Sequence, residues 1–201
     1  MRKNKLQIKR LVGIASLAAL VAVLQLLSLF IRFGEFSITL ALIPLVVGAI
    51  LYGPSGGAVL GFVMGFIVLL TNSEAFFVIN PFATILLCLV KSSLAGIVSG
   101  YTYKILYKKN FILAITLASI LAPLVNTGVF AVGCIIFFFP TLTEWAGGSS
   151  ALSYLFIVMI GINFIIEFIV NSALSPAVVS IVKIATKNYN IGSSFDIEDE
   201  E

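Results

Sequence analysis

The chain of 201 residues is 60% hydrophobic and only 10% charged, with a mean hydropathy of +1.16, a composition far from that of a soluble domain and expected of a polytopic membrane protein. Its formal net charge is +3, but no basic patch is interleaved with aromatics, so nucleic acid is excluded as a partner and the basic residues read as membrane flanks. There is no His, and Cys88 and Cys134 both fall inside apolar runs; this argues against a zinc or haem site and leaves no cofactor implied.

Apolar segments of near-spanning length lie at 6–32, 37–52, 56–72, 81–107, 110–139 and 151–186, bounded by Gly, Pro, Asn and charge. They predict an all-α integral membrane protein, a six-helix bundle in one domain over 1–186, followed by a short acidic tail, 187–201, expected to be disordered. The first segment follows Arg2, Lys3, Lys5, Lys9 and Arg10 and imitates a signal peptide. It runs on to Ile31 without a cleavage pattern and is read as a retained helix. The second and third segments are short for a bilayer about 30 Å thick, which fits either oblique packing or service as cavity walls.

With six spans, the N-terminal cluster, Lys104, Lys108, Lys109, Lys183 and Lys187 all fall on one side, so both termini are expected in the cytoplasm. The loops 32–37, 72–80 and 140–150 lie opposite and carry Glu35, Glu74, Glu144 and the only tryptophan, Trp145. Arg32 alone breaks the asymmetry, at a helix end from which it can reach the interface.

Small residues mark close helix approach. Ala15, Ala18, Ala19 and Ala22 give the first helix two overlapping AxxxA spacings; Gly57, Gly61 and Gly65 form GxxxGxxxG in the third; the fourth has Gly96 and Gly100. Packing within the bundle accounts for the glycines, while an external partner is an open alternative for the first helix. Tyr52-Gly-Pro-Ser-Gly-Gly predicts a tight reversal, and the chain has no GxxxxGK[ST] with which to hold ATP phosphates. Pro44, Pro123 and Pro176 are expected to interrupt helices two, five and six, offering backbone polarity to a cavity or merely being tolerated by packing.

Polar residues at depth concentrate in the C-terminal half. Lys91 lies about 15 Å along a helix beginning near Pro81, close to mid-bilayer, where a lone lysine costs about 2.5–3.5 kcal/mol. Thr84, Cys88 and Lys91 share one face of their helix; Asn163, Glu167 and Asn171 form a stripe on another; Asn126 and Thr127 follow Pro123. The stripes are expected to face one another or a shared cavity. Two readings stand together: a buried Lys91–Glu167 ion pair with asparagines as interhelical glue, and a solute site in which Lys91 meets an anion and Asn126 and Asn163 supply hydrogen bonds. Glu167, toward the cytoplasmic half, is the more structural member. The loop NSEAFFVIN reads as a lid, with Phe76 and Phe77 covering the interface or a ligand and Asn80 able to cap the next helix.

The runs ITLALIPLVVGAILYGPSGGAVLGFVMG and FATILLCLVKSSLAGIVSGYTYKIL, with six helices and an alanine-rich first one, resemble the substrate-binding S components of energy-coupling-factor vitamin transporters. The resemblance implies a bacterial plasma-membrane protein, a docking face for a transmembrane coupling component and its two ATPases at Ala15/Ala19 and Ala18/Ala22, and a vitamin pocket in the C-terminal helices under outer loops. The expected substrate contacts, read from the polar stripes and the lid, are Lys91, Asn126, Asn163, Thr84, Asn80 and Glu167. The block 37–65 and APLVNTGVFAVGC are most similar to pantothenate-type members; folate, hydroxymethylpyrimidine, riboflavin or cobalamin are the alternatives. Outside the family, a stand-alone ion-coupled carrier would need a Lys91–Glu167 relay. A membrane enzyme would need a nucleophile, base or metal cluster that does not converge here.

Overall fold

The computed structural model describes residues 2–30, 32–33, 36–37 and 39–189. Its helices are α1 (Arg2–Leu27), α2 (Leu42–Thr71), α3 (Glu74–Ile79), α4 (Pro81–Leu106), α5 (Phe111–Phe137), α6 (Phe139–Trp145), the single turn α7 (Ala151–Ser153) and α8 (Ile162–Tyr189). Between α1 and α2 a two-residue antiparallel pair forms, β1 (Arg32–Phe33) with β2 (Phe36–Ser37). Five helical stretches, 7–30, 42–71, 81–106, 111–137 and 151–186, are long and apolar enough to cross a membrane. The acidic stretch from 190 onward and Glu35 lie outside the described residues; α8 itself continues to Tyr189, past the expected start of the tail.

The segments expected at 37–52 and 56–72 are the two arms of α2, broken at Gly53. Gly53 has φ 77° and ψ −177°, a conformation essentially confined to glycine, and Pro54 follows with a fixed φ and no N–H. There the chain doubles back. Gly48 packs against Leu60, residues that a straight helix would hold about 18 Å apart. The first arm begins at Leu42 rather than 37, because 36–37 pair in β2 and Thr39 stands outside the helix. At roughly 1.5 Å per residue the arms are about 16 and 27 Å long. Pro44 does not interrupt a helix; it lies in the first turn of α2, where a backbone donor has no intrahelical acceptor. Pro123 and Pro176 do lie inside α5 and α8.

The second arm of α2 packs backbone to backbone on α4. Gly57 lies against the Gly96 carbonyl, Gly61 against that of Ser92 and Gly65 against that of Cys88. Each step of four along α2 is thus matched by a step of four back along α4, and the glycine repeat is an internal seam. Asparagine side chains start two of the helices: Asn80 Oδ1 accepts the Ala83 N–H at 3.1 Å and Asn110 Oδ1 accepts that of Leu113 at 3.0 Å.

One end of the bundle is basic. Arg10 donates to the Tyr52 carbonyl at 3.0 Å and to Ser55 Oγ at 2.7 Å, bracing the α2 reversal, and Lys183 lies 5.9 Å from the Phe111 ring centroid. The opposite end carries α3 and α6. Two apolar cores result: one from α1, α2, α4, α5 and α8 around Leu45, Ile50, Leu60 and Ile115, the other around Phe76, Leu87, Phe138, Leu142 and Leu155. On α1, Ala15 and Ala19 are exposed, whereas Ala18 and Ala22 are half-buried, with Ala18 packed on the first core.

Candidate functional site

Under α3, a cavity of about 110 Å³ opens among α2, α4, α5 and α8. α4 contributes Thr84, Leu87, Cys88 and Lys91, positions i, i+3, i+4 and i+7 of one face. α5 contributes Asn126, Thr127 and Phe130, just past Pro123, with Phe138 beyond its end. The last span contributes Met159, Ile160, Asn163, Phe164 and Glu167. Val68, Asn72 and Ser73 at the end of α2, together with Thr39 before it, complete the wall with Phe76.

The last span reaches the cavity through an irregularity. Residues Tyr154–Gly161 are π-helical, their hydrogen bonds reaching one residue further than in an α-helix, and α8 begins immediately afterwards. The wider turn puts the adjacent Met159 and Ile160 both on the cavity wall, and regular α spacing then brings in Asn163 and Glu167.

Five of the six expected substrate contacts, Lys91, Asn126, Asn163, Thr84 and Glu167, line this one cavity. Asn80 does not; its side chain caps α4, and its carbonyl accepts the Thr84 hydroxyl at 2.8 Å. Asn171 is also turned away, donating to the Glu167 carbonyl on its own helix at 2.8 Å.

Lys91 and Glu167 share the cavity without forming the buried ion pair. Among the described residues no carboxylate oxygen lies within 4 Å of the Lys91 ammonium. The ammonium lies over the Phe130 ring, 4.9 Å from the centroid. Glu167 Oε1 accepts the Thr39 backbone N–H at 2.7 Å, so the carboxylate anchors the segment leading into α2 from 128 residues away. The Oδ1 atoms of Asn126 and Asn163 are enclosed and accept no hydrogen bond from the described residues. Such a group costs about 1–3 kcal/mol, which a donor arriving in the cavity would recover once the amide turned toward it.

The lid is a helix. In α3, Phe76 is buried and meets Phe130 (5.8 Å between centroids), Phe138 (4.9 Å) and Trp145 (5.5 Å), each edge to face, while Phe77 is exposed. Phe130, Phe138, Met159, Ile160 and Phe164 left no signal in the sequence, because an apolar side chain facing a cavity reads the same as one facing lipid. Thr39 was equally silent, and Asn72 and Ser73 were visible only as loop residues.

An all-but-wholly helical bundle with spans long enough to cross a membrane, and with a mixed polar and aromatic cavity under α3, has the architecture expected of a membrane subunit with room for a small solute. A family model for the substrate-specific component of ECF transporters matches residues 9–179, and the chain belongs to that family. It is therefore a multi-pass protein of the bacterial plasma membrane, a transport subunit rather than an enzyme. The pantothenic acid transporter PanT of Lactococcus lactis subsp. cremoris is 28% identical over 196 residues, covering 87% of this chain and 95% of the relative.

Proposed function

We propose that this protein captures pantothenate from outside the cell and delivers it inward when a membrane coupling component with two ATPases docks on α1. In this reading the two arms of α2 count as separate segments, giving six, and the basic end with both termini faces the cytoplasm. The 1–186 region acts as a single domain. The carrying observation is Lys91: a mid-bundle ammonium on an aromatic face, within a cavity whose two asparagine oxygens lack donors. Pantothenate offers a carboxylate to the first and hydroxyl and amide donors to the others. The likeness to the Lactococcus relative supports the same choice. An ion-coupled carrier is disfavoured, since its Lys91–Glu167 relay would need a contact that Thr39 occupies on the acidic side.

The test is native mass spectrometry of the detergent-purified protein for co-purified ligand, then calorimetric titration with pantothenate of wild type and Lys91→Ala. A charge-assisted hydrogen bond is worth about 1.5–3 kcal/mol, so the substitution is expected to weaken binding by about 10- to 100-fold. Tight binding of a different vitamin would replace the substrate and keep the transport role. No binding across a vitamin panel would reject both.

A further inference from the structure

The Phe130 ring carries two contacts at once: the Lys91 ammonium, 4.9 Å from its centroid, and the Phe76 ring, 5.8 Å away at an interplanar angle of 89°. Phe76 is the side chain by which α3 is seated. Its neighbours Phe77, Val78 and Ile79 are exposed, whereas Phe76 is buried against Phe130, Phe138 and Trp145. A cation attracted to an aromatic face and an aromatic ring in edge-to-face contact both depend on where the shared ring stands. An ammonium drawn toward an anion must give up part of its hold on the ring, which frees Phe130 to shift against Phe76.

We propose that Phe130 is a positioning residue: it sets the Lys91 ammonium at the cavity and transmits that ammonium's position, through Phe76, to the seating of α3. The inference rests on reading Lys91 as the anion-binding group of a solute cavity. It assigns Phe130 a role that its apolar character hides, and it makes the roof of the cavity responsive to what Lys91 contacts. The position of Trp145 provides a direct readout, since it is the only tryptophan in the chain and its ring lies 5.5 Å from that of Phe76.

The experiment is acrylamide quenching of Trp145 fluorescence in detergent, without added ligand, for wild type, Lys91→Met, Phe130→Leu and Phe130→Tyr. Removing the ammonium or the ring is expected to loosen Phe76 and raise the quenching constant about twofold, while tyrosine, which keeps a ring for both contacts, restores the wild-type value. An unchanged constant in Lys91→Met, or a Phe130→Tyr value matching Phe130→Leu, overturns the proposal. Lys91→Met carries the test alone should Phe130→Leu fail to fold. A parallel calorimetric titration of wild type with pantothenate keeps the two ideas apart: absence of heat rejects that vitamin, whereas the quenching comparison decides the relay either way.

Discussion

Glu167 is only 6% exposed, and it accepts hydrogen bonds from Thr39, the backbone N–H among them, rather than pairing with a cation. Its role is then to hold the strand-to-helix segment, and a neutral acceptor should serve nearly as well. Glu167→Gln is expected to keep pantothenate affinity within about tenfold of wild type, whereas Glu167→Ala leaves the N–H unsatisfied and costs about 1–3 kcal/mol of stability. Thermal unfolding in detergent alongside calorimetry separates these outcomes; equal loss of binding in both variants would make the carboxylate a ligand contact instead. For Asn126→Ala and Asn163→Ala, loss of one neutral hydrogen bond at about 1 kcal/mol predicts affinities about fivefold weaker, with the fold retained. These polar members of the site were legible in the sequence because charge and amide are costly in an apolar run and must converge on something. Their aromatic neighbours were not, since hydrocarbon satisfies Phe130 or Phe138 whichever way it faces. Asn80 is the member that falls outside the cavity lining: an amide beside a proline at a helix start has a local employment, the cap on Ala83.

Among the elements, α2 shows what residue chemistry can specify and what it leaves open. The reversal at Gly53 was visible because a Gly-Pro pair inside an apolar run has few uses, and the glycine repeat because a period of four lies along one helix face. The partner of that face, the Gly96–Ser92–Cys88 side of α4, emerges only from packing. The π-helical stretch 154–161 had no signature at all, since its apolar side chains suit either hydrogen-bond register. A methyl group at Gly61 would overlap the Ser92 carbonyl oxygen, and backbone cannot swing aside as a side chain can. Gly61→Ala is expected to force the helices apart and destabilise by about 1–3 kcal/mol, and Gly53→Ala to cost a similar amount through its backbone conformation. Gly128, with nothing within 4 Å of an added methyl, is the control: Gly128→Ala should leave the melting temperature unchanged or raise it. A Gly61→Ala protein melting with the control would mean that the seam is looser than its geometry states.

For the whole molecule, α1 is the peripheral span: 17% of its apolar window is buried, against 44% for those of α2 and α4. A helix so little covered can meet a partner without unfolding its own bundle, and its two alanine spacings differ in exposure. Ala15 and Ala19 share the exposed side with Val12, Ser16 and Val23, while Ala18 and Ala22 lie on the adjoining half-buried side, with Ala18 packed on the core. Small residues let two backbones approach closely, so a bulky side chain on the exposed pair would hold a docking helix away at little cost to this chain. Ala15→Leu with Ala19→Leu is accordingly expected to leave pantothenate binding by the isolated protein within about twofold of wild type, because no contact with the cavity changes. With α1 as the proposed docking face, the same double variant should fail to co-purify with a coupling component and its ATPases and should abolish uptake in cells. Ala18→Leu, directed into the packed core beside α2, should instead lower the melting temperature and reduce binding and assembly together, overpacking costing about 1–3 kcal/mol. The contrast between the two positions decides the matter. If the outward variant assembles normally, α1 meets lipid along that face and docking belongs elsewhere; if it also loses vitamin binding, α1 is coupled to the cavity more tightly than its low burial implies.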